Sequence, residues 1–155
     1  MRFVILFTRF APVVILAMLA ATPAVAQTET SATQIAKECV EAMRNHTMRT
    51  SDAMHDAAEE TVRRIRMMAA DGVPDREIYA FANESKRHIR SLAQAGRERL
   101  RTASSHCLRR LRDAGASRDL IEAVIDARNL LLTRVNQSER HAIDAIDDAL
   151  RQFLR

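Results

Sequence analysis

The sequence predicts an all-α protein: an elongated antiparallel three-helix (up-down-up) bundle of long helices after an N-terminal signal peptide. Glycine and proline are scarce, with three of each in 155 residues, while residues that favour helix dominate the chain. Beyond the N-terminal segment, every glycine and proline except Gly96 falls in two short stretches, Asp71–Asp75 and Asp113–Ser117. Two turns leave room for three helices, each of about 40 residues and roughly 60 Å long.

Residues 1–26 have the features of a secretory signal peptide. Two arginines supply a positive start, and Phe10–Ala21 is an apolar run too short to favour a span across a bilayer. The small residues Ala24 and Ala26 predict cleavage before Gln27. We therefore expect export to the periplasm, with full secretion as the alternative and a retained N-terminal anchor left open. After cleavage, an integral membrane protein is not expected.

The remaining residues, 27–155, are predicted to form a single helical domain. Gly72 and Gly115 suit the ends of helices, while Pro74 and Ser117 suit the starts of the helices that follow. A further start is predicted at Ser31, because the tetrapeptide SATQ has the form of a capping box. The predicted helices are 31–70, 74–113 and 117–154.

Apolar and small residues recur at spacings of three and four along each predicted helix, as expected for a face buried in a bundle. On the first helix this stripe contains Ile35, Cys39, Met43, His46, Thr50, Met54, Ala57, Thr61, Ile65 and Met68. On the second it contains Ile78, Ala82, Ser85, Ile89, Leu92, Gly96, Leu100, Ala103, Cys107, Leu111 and Ala114. On the third it contains Leu120, Val124, Ala127, Leu131, Val135, Ser138, Ala142, Ile146, Ala149 and Phe153.

The two cysteines, Cys39 and Cys107, fall on the first two stripes. If the chain doubles back near Val73, facing residues have numbers that add up to about 146, which places Cys39 opposite Cys107 and Thr50 opposite Gly96. The sequence therefore predicts one intrachain disulfide, which an oxidising compartment permits. Two free, buried cysteines are the alternative.

The charge distribution draws attention to the middle helix. Without the signal segment the chain has 22 basic and 20 acidic residues, a net charge of +2, which does not favour binding to nucleic acid. The middle helix alone has ten basic against five acidic side chains. Four of its arginines are predicted to face outward, either as a solvated surface partly paired with acids of the third helix or as a binding face for a protein or an anionic surface. These are Arg87, Arg90, Arg97 and Arg101.

A group of methionines and histidines on the first helix is a candidate soft-metal site. Thioether and imidazole side chains suit ions such as Cu(I), although methionines at helical spacing also fill cores. The group comprises Met43, His46, Met48, Met54 and His55. No cofactor is expected, and no nucleophile elbow or glycine-rich phosphate loop indicates an enzyme.

The sequence thus predicts an exported, non-enzymatic interaction or scaffold protein, holdase-like in character, with a basic middle helix and one disulfide. Soft-metal binding or sensing through the first helix is the alternative function. Whether the chain forms an oligomer is left open.

Overall fold

The protein is built from three α-helices in this computed structural model, which describes the backbone of residues 23–154 and the side chains of residues 31–154. The helices are α1 (Pro23–Ala70), α2 (Asp75–Asp113) and α3 (Arg118–Phe153), and each packs against the other two. The range 23–154 contains no strand, so the predicted all-α class is confirmed. Residues 1–22 of the predicted signal peptide lie outside the described residues.

Each of the two turns between helices contains a glycine in the left-handed conformation. Gly72 has a φ of 71° and Gly115 a φ of 68°, which side chains other than glycine rarely adopt. After α1, the amide of Val73 donates a hydrogen bond to the carbonyl oxygen of Met68 at 3.0 Å, which satisfies one of the last carbonyls of the helix. An equivalent bond closes α2, so the two predicted helix ends are confirmed.

The starts of the helices agree with the sequence prediction at two of three places. Pro74 directly precedes α2, and the Ser117 hydroxyl caps α3 by accepting a bond from the Leu120 amide at 3.4 Å. The predicted start at Ser31 is wrong, because α1 begins at Pro23. Proline is tolerated in the first turn of a helix, and no glycine or proline follows it before the end of α1. Gln34 donates to Glu38 instead of closing a capping box.

The register between α1 and α2 is the predicted one. Cys39 and Cys107 form a disulfide, with their Cα atoms 5.8 Å apart, a typical separation. Thr50 lies directly against Gly96: a Cβ atom added to this glycine would be 2.8 Å from Thr50 Oγ1. The numbers of both pairs add up to 146, as expected for a chain that doubles back near Val73.

The buried positions of α1 and α2 repeat every eleven residues. In α1 the three series are Ala32, Met43, Met54 and Ile65; Ala36, Thr47 and Ala58; and Cys39, Thr50 and Thr61. Eleven residues in three turns is 3.67 residues per turn, close to the 3.6 of an undistorted helix. Long helices can therefore keep one face against their neighbours with little supercoiling.

Several predicted stripe residues are half-buried rather than fully buried. At these places on α1 and α2 the fully buried residue is the next one in the chain. Thr47 is buried whereas His46 is half-buried, and Ala93 is buried whereas Leu92 is half-buried. The same shift occurs at three other places: Ala36, Ala58 and Ser104 are buried, while Ile35, Ala57 and Ala103 are half-buried. Each of these helices packs against two others and buries the direction between them, which spacing along a single helix does not fix.

The core is divided into two clusters, each with contributions from all three helices. The disulfide cluster includes Met43, Leu100, Cys107, Leu111, Val124 and Leu131. The turn cluster, nearer the 71–74 turn, includes Met54, Ile65, Ile78, Ile89, Val135 and Ile146. Thr50, Ser51 and Gly96 lie between the clusters in sequence. The hydroxyl oxygens of Ser51 and Ser138 are 2.9 Å apart and join α1 to α3.

Candidate functional site

The four arginines predicted to form a basic face do not share one environment. Arg97 is engaged within the chain: its Nη1 donates to Glu139 Oε2 at 2.6 Å and to Asn136 Oδ1 at 3.1 Å, both on α3. Its side chain is only 25% exposed, and that of Glu139 is 19% exposed. Arg97 therefore ties α2 to α3, in keeping with the predicted alternative of arginines partly paired with acids of the third helix.

Lys86 has the same role one repeat earlier on α2. It lies eleven residues before Arg97 and forms an ion pair with Asp147 of α3. Its side chain is 12% exposed, so this pair is more shielded from water than a usual surface pair. The side of α2 that faces α3 thus uses its cations to hold the bundle together.

Replacing Arg97 by alanine should measurably weaken the bundle. Arg97→Ala removes a partly buried ion pair and leaves Glu139 without its cation, so we expect the free energy of unfolding to fall by about 1–2 kcal/mol. The matched control is Arg101→Ala, because Arg101 is 61% exposed and its closest approach to Glu98 is 3.6 Å. When both variants are unfolded by urea, the control should lose less than about 0.5 kcal/mol of its free energy of unfolding. Equal losses in the two variants would contradict the assignment of Arg97.

The other predicted arginines of α2 are exposed. Arg87 and Arg90 form no ion pair with any residue of 31–154, and Arg101 has only its long contact to Glu98. Two further exposed arginines continue the same side of the helix, since Arg112 follows Arg101 by eleven residues and Arg109 follows Arg87 by twenty-two. We call these five residues the arginine stripe: Arg87, Arg90, Arg101, Arg109 and Arg112. The eleven-residue repeat is the signal that identifies the last two.

The methionines and histidines of the predicted metal site do not converge. Met43 is fully buried in the disulfide cluster and Met54 in the turn cluster, whereas Met48 is exposed. His55 faces solvent and pairs with Glu59 on the next turn of α1 at 3.0 Å. No group of three or more His, Cys, Asp or Glu side chains in the described part of the chain is arranged to hold a metal ion. The spacing of the five residues reflects their position along one helix and not a common site.

The α1/α3 groove comprises two open depressions between α1 and α3, neither of them lined by a residue of α2. It contains a larger depression of about 920 Å³ between Ser51–Arg66 of α1 and Arg134–Ala145 of α3. A smaller depression of about 530 Å³ lies between Thr33–Arg44 and Leu120–Val124. Sequence reasoning missed this groove, because it is lined by residues of two helices that are distant in the chain.

No helix within residues 23–154 contains an apolar stretch long enough to cross a membrane. No family model, curated protein or solved structure matches the chain.

Proposed function

We propose that this chain is an exported, non-enzymatic interaction or scaffold protein, holdase-like in character, that binds acidic partners through the arginine stripe of α2. The observation that carries the proposal is the exposure of these arginines on one side of a continuous helix. Positive charges held at fixed spacing raise the local concentration of anionic ligands and orient them. Acidic segments of a protein and anionic lipid headgroups share this chemistry.

The proposal includes an elongated up-down-up arrangement of the helices. The pairs between α1 and α2 support it, because residue numbers fall along one helix as they rise along the other. The two ion pairs between α2 and α3, Lys86 with Asp147 and Arg97 with Glu139, follow the same rule. A rod of this kind offers long surfaces and shallow grooves, which suit docking better than enclosure of a small substrate.

Export to the periplasm, or secretion, is also part of the proposal. It rests on the signal-like residues 1–26 and on the compartment that a stable disulfide requires. The predicted cleavage position, between Ala26 and Gln27, falls in the first turn of α1. Cleavage there would leave in the mature protein every buried position of α1 among the described side chains, from Ala32 onward.

Binding of the purified protein to vesicles of phosphatidylglycerol and phosphatidylcholine tests the role of the arginine stripe. We expect binding at low salt that weakens as salt is added. The double variant Arg90→Gln with Arg101→Gln should bind roughly 30-fold more weakly, since each arginine near an anionic surface contributes about 1 kcal/mol. The matched control is Arg118→Gln with Arg151→Gln, which removes the same charge from exposed positions of α3.

A second arm separates lipid from protein partners. The same variants are added to a thermally unfolding client protein, and aggregation is followed by light scattering. A holdase-like role predicts suppression by the wild-type and control proteins and loss of suppression in the α2 variant. If neither vesicles nor clients are bound, or if the α3 control loses binding equally, the proposed function is wrong.

A further inference from the structure

The α1/α3 groove lies between two parallel helices whose relative levels are fixed by direct contacts. The hydroxyl oxygens of Ser51 and Ser138 are 2.9 Å apart, and the Arg66 guanidinium lies 5.3 Å from the centroid of the Phe153 ring. Both pairs differ in number by 87, so each residue of α3 lies level with the residue of α1 whose number is 87 lower. This register gives the order of side chains along both walls of the groove.

Two arginines lie near the middle of the groove, each next to an exposed apolar residue. Arg44 lines the smaller depression, and Met48 follows it by one turn of α1. Arg134 lines the larger depression, and Leu130 precedes it by one turn of α3. By the register, Leu130 lies within one residue of the level of Arg44, and Arg134 within one residue of the level of Met48. We call these four residues the central patch: Arg44, Met48, Leu130 and Arg134.

The apolar residues of the central patch are unusually exposed. Met48 is 57% exposed and Leu130 is 71% exposed. Large exposed hydrophobic side chains are few in residues 31–154, and two of the four lie in this patch; the other two are Met67 and Tyr79. Exposed apolar side chains that cluster indicate a surface covered by a partner.

The charges of the groove favour an acidic partner. Three of its arginines have no ion pair with any residue of 31–154: Arg44, Arg66 and Arg134. Among the acids, Glu59 already pairs with His55 at 3.0 Å, and Glu41 of the smaller depression is offset by Lys37. Asp52 is the acid of the larger depression that has no ion pair within the same residues. Cations therefore exceed acids along the groove, and the excess attracts negative charge.

The floor and the length of the groove suit a helix. Apolar side chains line both depressions: Ala58, Val62 and Ala142 in the larger, and Ala36, Val40 and Val124 in the smaller. Both depressions are open along their length, whereas a pocket for a small molecule encloses most of its ligand. From Arg44 to Arg66 the groove runs roughly 33 Å, the length of a helix of about 22 residues. An amphipathic helix that lays its apolar side into such a groove is a common mode of recognition.

We propose that the α1/α3 groove is a docking site for an amphipathic helix of an acidic partner protein. The apolar side of the docked helix covers Met48 and Leu130. Acidic residues along its two edges pair with Arg44 on α1 and with Arg134 on α3. No residue of α2 lines the groove, so this surface is separate from the arginine stripe and leaves the stripe exposed.

Binding of two designed peptides to the purified, disulfide-intact protein tests this site. Each labelled peptide has about 22 residues and forms a helix with leucine and alanine on one side. The first has glutamate along both edges of that side, and the second has lysine at the same positions. By fluorescence anisotropy, the protein should bind the glutamate peptide roughly tenfold more tightly than the lysine peptide, and added salt should weaken this binding.

Charge reversal at the central patch should invert this preference. Arg44→Glu with Arg134→Glu places acids on both walls, so we expect the variant to bind the lysine peptide more tightly than the glutamate peptide. The matched control, Arg87→Glu with Arg90→Glu on α2, changes the net charge equally and should keep the wild-type preference. A preference that is unchanged in the groove variant, or inverted in the α2 control, would overturn the proposal.

A groove-filling variant tests the apolar part of the contact. Ala145 is exposed and lines the larger depression, so Ala145→Trp should obstruct the docked helix and weaken binding of the glutamate peptide at least tenfold. Ala95→Trp, on the exposed side of α2, is the matched control and should bind as the wild type does. Equal binding by these two variants would mean that the peptide does not lie in the groove. An unchanged circular dichroism spectrum establishes that each variant is folded.

Two further measurements separate this partner from other occupants of the groove. Binding to anionic vesicles should be the same for Ala145→Trp and the wild type, because it depends on the arginine stripe; its loss would assign the groove to lipid. The protein alone should sediment as a single chain at peptide-binding concentrations. A mass of two chains that Ala145→Trp reduces to one would assign the groove to a second copy. Either result would overturn the proposal, whereas failure of vesicle and client binding by the arginine stripe would leave the peptide result intact.

Discussion

Replacing both cysteines, as Cys39→Ala with Cys107→Ala, should lower the free energy of unfolding by about 4 kcal/mol. The disulfide closes a segment with a sequence separation of 68 residues, and a crosslink of this span removes much of the freedom of the unfolded chain. Both cysteines are buried, and alanine leaves no unpaired polar group at their positions. The loss should therefore reflect the crosslink more than a change in packing.

Chemical reduction supplies the control for this prediction. Wild-type protein unfolded by urea in excess dithiothreitol should have the same midpoint as the double alanine variant, and dithiothreitol should not alter the variant. Hydrogen exchange should locate the effect, because the 71–74 turn holds α1 and α2 together at the other end of the pair. Amides near residues 36–43 and 104–111 should exchange faster, with little change near Ile65 and Ile78. A wild-type midpoint that is insensitive to reduction would mean that the disulfide is absent.

The predictable part of this fold depends on short-range signals and on the position of the first turn, which sets the register of α1 against α2. Gly72 and Gly115 end helices because of their own backbone conformation, and Ser117 caps the next helix with its own hydroxyl. Such features can be read from a few neighbouring residues. The register of α1 against α2 followed from the turn near Val73, which placed Cys39 opposite Cys107 and Thr50 opposite Gly96.

The third helix accounts for much of what could not be predicted. No register of α3 against α2 was derived from the sequence, so pairing with acids of α3 was predicted only in general and Glu139 was not identified as the partner of Arg97. The same neighbour explains why Thr47 and Ala93 are fully buried and His46 and Leu92 only half-buried. An apolar pattern shows that a helix has a buried side, but the direction of that side depends on how many helices surround it.

The candidate binding surfaces were predictable only in outline. An excess of arginine on the middle helix was visible in the sequence, but which arginines remain exposed depended on the acids that α3 supplies. The methionines and histidines of α1 were grouped by spacing, and packing then separated Met43 and Met54 into different core clusters. The α1/α3 groove had no local sequence signal, because it is formed by the outer edges of two helices that are distant in the chain.

Gly96→Val should destabilise the protein by about 3 kcal/mol, the upper part of the range for overpacking a core. A Cβ atom at Gly96 would be 2.8 Å from Thr50 Oγ1 and 3.1 Å from Thr50 Cβ. Thr50 has little freedom to move away, since it is buried and its hydroxyl donates to the His46 carbonyl oxygen at 2.9 Å. The larger side chain must therefore separate α1 from α2 between the two core clusters. Glycine inside a helix is about 1 kcal/mol less stable than alanine. Its presence at position 96 indicates that the close approach of α1 and α2 contributes more to stability than helix propensity does.

The neighbouring residue provides a matched control for this substitution. Ala95→Val introduces the same β-branched side chain on the exposed side of α2 and should cost only about 0.5 kcal/mol from helix propensity. A double-mutant cycle identifies the partner: Gly96→Ala should be destabilising alone and less so in combination with Thr50→Ala, which removes the Oγ1 and Cγ2 atoms of the clash. If Gly96→Val costs no more than Ala95→Val, or if Thr50→Ala gives no relief, the two helices do not meet at this level. If one of these results is found while the disulfide is intact, the predicted register of α1 against α2 holds only at the end of the two helices that Cys39 and Cys107 crosslink.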